Sequence, residues 1–150
     1  MSEQEAINYE ILTDIQRDVA STLSADLSVC VSAICDDYEQ PMANELATNG
    51  VFVLVSIPDV SFREVQSPRV ILDPIKVAIT ATVTRGQNKP SYSASAYALK
   101  CAQSLVMRTP TGCNRPLVFS GSSEITLKHN SSSDSATVIL TTSSAFPASF

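Results

Sequence analysis

The stretch VILDPIKVAITATVTR, residues 70–85, decides the fold. Within it Ile75, Val77, Ile79, Ala81 and Val83 alternate with Lys76, Ala78, Thr80, Thr82 and Thr84. A period of two is that of a strand with one face in a core, and the threonine-rich face is expected to meet solvent. Upstream, VFVLVSI at 51–57 is an almost unbroken β-branched and apolar run, which predicts a second strand, central in the sheet and stopped by Pro58. A polar loop containing Pro68 joins the two. Downstream, Arg85-Gly86-Gln87-Asn88-Lys89-Pro90 breaks the long strand. Ser91 then caps a helix over about 92–108 carrying Ala94, Tyr97, Ala98, Cys101, Leu105 and Val106.

Farther out, Ile7, Ile11, Ile15 and Val19 recur every fourth residue, with Leu12 and Leu23 widening the stripe. This spacing predicts an amphipathic helix over roughly 5–24. Leu27, Val29 and Val31 alternate with small polar residues and predict a short strand to about Ile34. Asp36 to Pro41 can cap and open a short helix through Met42, Leu46 and Ala47, which Asn49-Gly50 ends. Beyond the loop Thr109–Pro116, Ile125 and Leu127 predict one arm of a hairpin, Asn130–Asp134 its turn, and Ala136–Thr142 the other arm. The final Ser143–Phe150 shows no periodicity.

The predicted order is α-β-(α)-β-β-α-β-β: one α+β domain over 1–150, a largely antiparallel sheet with two main helices packed on one face, and flexible ends at 1–4 and 144–150. Ile11, Ile15, Val53, Val55, Val77, Ile79 and Leu105 are expected to be buried together.

Of 150 residues, 44% are hydrophobic and 17% charged, and no apolar run approaches the ~18–20 residues of a membrane helix. The acidic start MSEQEAINYE lacks the features of a secretory signal, so the expected site of synthesis is the cytoplasm. Cys30, Cys35, Cys101 and Cys113 have no paired spacing and read as reduced thiols. The net charge of −5 opposes nonspecific nucleic-acid binding, which depends on neutralising phosphates. Its distribution is uneven. Residues 1–75 hold 13 acidic against 3 basic side chains, net −10, and residues 76–150 hold 2 against 7, net +5. Either the halves neutralise each other within one molecule, the reading preferred here, or an acidic and a basic flank of neighbouring subunits meet.

Catalytic patterns are sparse. The single histidine, His129, sits beside the predicted hairpin turn and reads as a solvated turn residue. One His and four dispersed Cys do not match zinc-ligand spacing, and no phosphate-binding glycine motif is present. Asp36, Asp37 and Glu39 form a carboxylate cluster that suits either a cation or, as preferred, a helix N-terminus. No enzyme activity, metal or cofactor is expected.

The ordered whole-chain pattern resembles a known family. A first helix from Ile7 to Leu23, the strand Val51–Val55, a long strand from Val70 ending in Arg85-Gly86-Gln87-Asn88, a helix from Ala94 to Val106 and a closing hairpin ending in Thr141-Thr142-Ser143 are similar to the tail-terminator, or tail-completion, proteins of long-tailed bacteriophages and prophages. The similarity covers roughly residues 5–145 and rests on element order and hydrophobic placement. It implies a small α+β subunit that forms a ring, commonly a hexamer, at the head-proximal end of the tail tube. That ring would stop tube growth and offer a surface to the head-tail connector protein. The partners implied are further copies of the chain, the tail tube protein and the connector, with no sequence-specific nucleic acid and no membrane. The places implied are the bacterial cytoplasm during assembly and the virion tail. Expected partner contacts are the loop Arg85, Gly86, Gln87, Asn88 and Lys89, and the tail residues Phe146 and Phe150, because unburied segments on a rigid sheet are where partners are met. The alternatives are another neck, tube or baseplate component of a phage or contractile injection apparatus, or a small-molecule-binding regulatory domain.

Overall fold

A computed structural model describes residues 8–63, 69–85, 92–119 and 125–147, with Phe146 and Pro147 described by backbone alone. Within these the order is α1 (Ile11–Leu27), β1 (Val31–Ala33), α2 (Glu39–Thr48), β2 (Val51–Arg63), β3 (Arg69–Thr84), α3 (Ala94–Leu105), β4 (Val118–Phe119), β5 (Thr126–His129) and β6 (Ser133–Pro147). The strands form one mixed sheet in the order β1-β2-β3-β6-β4, with β5 also on β6. The β1–β2 pair is parallel, joined by the α2 crossover, and every other pair is antiparallel.

The α+β class holds. Helix α1 lies over β1 and β2, α3 lies over β3 and β6, and the two helices touch on the same face of the sheet. Register explains the burial: Val53 faces Ala81 on β3, Val55 faces Ile79, and Ile79 faces Val138 on β6. These side chains therefore share the helix-covered face. All seven residues expected in the core are there, none more than 7% exposed.

The opposite face carries Thr80 and Thr137, half-buried, whose hydroxyls hydrogen-bond at 2.9 Å. It is not wholly open. Phe52 lies there at 1% exposure, and Thr84 Oγ1 donates to the Leu46 carbonyl of α2 at 3.2 Å. The short helix thus covers the end of β2 and β3 away from α1 and α3.

Several boundaries differ from expectation, each for a physical reason. Helix α1 runs on through Leu27 because Ser28 adopts the left-handed conformation (φ 56°) that ends a helix, its N–H reaching the Ser24 carbonyl. That leaves only Val31–Ala33 for β1. Ser93, not Ser91, caps α3: its hydroxyl accepts from the Ala96 N–H at 3.3 Å. Ser91 lies outside the described residues.

Pro58 does not stop β2, which continues to Arg63. Partner β1 ends opposite Val55, so Pro58 stands on a free edge beside a bulge in the register, where a missing N–H costs no ladder bond. Pro74 sits in the central strand β3, again at a bulge, between Leu72 and Ile75. The extra residue there reverses the alternation, so Leu72 and Ile75 both face the core.

Residues 144–147 correct the expectation of a loose tail there; 1–4 and 148–150 lie outside the described residues. Strand β6 runs to Pro147, pairing Ser144 with Leu72 and Phe146 with Val70. Ser143 and Ser144 are each 3% exposed, their hydroxyls donating to Asn114 Oδ1 and the Gly112 carbonyl, both at 2.7 Å. The loop 109–117 rather than periodicity holds this segment.

Candidate functional site

Of the contact loop expected at 85–89, only Arg85 lies among the described residues; Gly86, Gln87, Asn88 and Lys89 lie outside them. Arg85 is not free for a partner. Its Nε and Nη2 donate to Asp134 Oδ1 at 2.8 and 2.6 Å, and His129 Nδ1 meets the same oxygen at 2.7 Å. The Asp134 carboxylate is held well below its ordinary range, at about 2, first by Arg85 and then by His129. Arg85 comes from the end of β3, His129 from β5 and Asp134 from β6. The cluster therefore pins three strand ends together.

The acidic run is divided. Arg17 of α1 reaches Asp36 with Nη2 at 2.7 Å, and this pairing raises the guanidinium and lowers the carboxyl. Asp37 and Glu39 are exposed and make no ion pair among the described residues. Among the described residues no group of three or more His, Cys, Asp or Glu is placed to hold a metal ion.

All four cysteines are free thiols. Cys101, in α3 against the sheet, is pushed up to about 12 by burial; Cys35 is exposed.

The charge halves meet in part inside the molecule. Lys76–Asp59, Arg108–Asp26 and Arg115–Asp73, at 3.4, 3.0 and 3.4 Å, each join the acidic half to the basic half. Asp18 of α1 also accepts from the Thr111 N–H at 2.7 Å.

Two clefts flank the α1–α3 seam, of about 460 and 410 Å³. In the first, Asp26 already accepts from Ser104 Oγ and Arg108, and Lys100 Nζ lies 4.4 Å above the Tyr92 ring. In the second, Asp18 accepts from Thr111 and Arg108 turns to Asp26. The aspartate of each cleft is thus already engaged by the protein's own donors.

What remains unpartnered is the rim of the sheet. Beyond Val55 the outer edge of β2 has no neighbour among the described strands; β2 and β3 run on as a hairpin arm to Arg63 and Arg69, with β6 flanking β3 to Pro147, so the free edge is that of β2. Phe62 on this arm is 75% exposed. At the other edge, Phe119 of β4 and Leu127 of β5 are 49% and 51% exposed. Val60 and Phe62 alternate with Asp59, Ser61 and Arg63 at strand spacing, a signal of the arm that Pro58, normally a strand stop, masks. Strand β4, two residues long, leaves no such signal.

Phe146 lies in β6, paired through its backbone to Val70, while Phe150 is outside the described residues. Among the described residues no helix is long and apolar enough to cross a membrane. The chain matches no protein-family model and no curated protein.

Proposed function

We propose that this chain is a structural subunit of a phage or prophage tail, a tail-terminator-like protein that assembles with its own copies at the head-proximal end of the tube, stops tube growth and offers a joining surface to the head. The observation that carries the reading is the hairpin arm. Phe62, an aromatic side chain left uncovered beside a free strand edge, suits a partner protein. A sheet whose edges stay open adds further surface for the same use.

The specific role comes from the element order that resembles tail terminators, carried on an α+β sheet with both long helices on one face. The same arm favours a second reading, a tube or neck subunit, because tube subunits need long hairpins that pair with their neighbours.

Electron microscopy of tail-tube subunits polymerising with the purified chain separates the two. A terminator leaves short tubes with a ring on one end. A tube subunit lengthens the tube or forms filaments alone, and no association with tubes defeats both readings.

A further inference from the structure

Pairing removes most of the charge and leaves opposite signs near the two edge strands. Residues 8–50 contain eight carboxylates and one cation, Arg17, which pairs with Asp36; Asp37 and Glu39, directly after edge strand β1, pair with no cation among the described residues. Residues 92–119 and 125–147 contain four Lys or Arg, of which Lys100 and Arg108 turn to the α1 seam and Arg115 to Asp73, leaving Lys128 on β5. Strand β3 occupies one side of β6 along nearly its whole length, so β4 and β5 must both lie on its outer side, at the rim.

That rim is also apolar. Leu127 pairs with Ala136 and Phe119 with Leu140, partners wholly buried under the helix layer, yet Leu127 and Phe119 stay half exposed because α3 does not reach them. On α3, Tyr97, Lys100 and Ser104 line the cleft toward α1. Leu99, on the same helix, is 57% exposed. Lys128 stands beside Leu127 and makes no ion pair among the described residues. Across the sheet, Asp37, Glu39 and Glu45 also lack a cation among the described residues, and Ile34 beside them is 45% exposed.

We infer that these two rims are the halves of one head-to-tail contact between copies of this chain, the Phe119–Leu127–Lys128 rim of one copy against the Ile34–Glu45 rim of the next. The inference rests on the assembly reading above and names its surfaces. Unpaired Asp37 and Glu39 beside one edge strand and unpaired Lys128 on the other favour a heterologous contact over an isologous one, which would set like charges against each other. Exposed charges orient the copies, while Phe119 and Leu127 supply the apolar area that salt does not screen.

Two variants test it by sedimentation up to millimolar concentration. One, Asp37→Lys with Glu39→Lys, damages the acidic rim; the other, Phe119→Ser with Leu127→Ser, damages the apolar rim. All four positions are exposed, and an unchanged melting temperature confirms folding of each variant. The unmodified chain is expected to associate, each variant alone to remain monomeric, and an equimolar mixture to stop at dimers, since one intact contact survives between unlike copies. Single Leu127→Ser and Glu39→Lys changes serve if either double variant fails to fold. A monomeric unmodified chain, a variant that associates as the unmodified chain does, or a mixture that stays monomeric overturns the contact. Tails made without the chain judge the function separately: overlong tails together with any of those three results remove this contact and leave the terminator role.

Discussion

Phe62 and Leu72 stand opposite each other on β2 and β3, on the same face, and differ in exposure by 75% against 5%. Leu72 is in the central strand, turned inward by the bulge at Asp73-Pro74. Phe62 is on the arm's free edge, where neither helix covers it. Leu72→Ala should cost about 2–5 kcal/mol of stability. Phe62→Ser should change stability by no more than about 0.5 kcal/mol yet abolish association with tail tubes. Urea unfolding and tube co-sedimentation on the two variants check the division of roles.

Gly112 has φ +82°, and a Cβ there would meet Cδ1 of Ile11 at the start of α1. Its carbonyl also receives the Ser144 hydroxyl. Gly112→Ala should destabilise by about 1–2 kcal/mol, lowering the melting temperature by a few degrees. A calorimetric scan in which this variant melts with the unmodified chain would contradict the local geometry.

Asp134 carries the acid dependence of the strand-end clamp. Its folded-state value is depressed to about 2, so its stabilisation is present above the ordinary carboxylate range and is lost as pH falls from there toward 2. The melting-temperature gap between the unmodified chain and Asp134→Asn should therefore be widest above that range and close below it. Added salt should narrow the gap, because the group is exposed.

The thiols should separate by access. Cys35 is exposed and should alkylate first; Cys30 and Cys113 are half-buried, and Cys101 is buried with its thiol raised to about 12. Mass spectrometry of iodoacetamide-treated protein should find Cys101 unmodified until denaturant is added. Early labelling of Cys101 would place α3 wrongly.

How much was legible follows from where the forces are local. Ile15, Val55, Val77 and Ile79 announce themselves by spacing, because burial of one face writes a period into the chain. Ser143 and Ser144 do not: they are held by Asn114 and Gly112, about thirty residues away, and small polar residues leave no period. Pro58 misled because its meaning depends on whether a strand lies beside it, which is tertiary information. For the candidate site, Arg85 is expected from sequence to meet a partner protein, whereas in the fold it pairs with Asp134, 49 residues on, which no local pattern signals. The uncovered Phe62 is visible only once the reach of the helices is known.

The central claim is that this chain ends the tail tube. Its most direct test is the length distribution of tails, by electron microscopy, from cells that make every other tail component with and without this chain. Uniform tails joined to heads are expected when it is present, and overlong tails that fail to join heads when it is absent. Tails of normal length that still join heads without it would contradict the account, whatever oligomer the isolated chain forms.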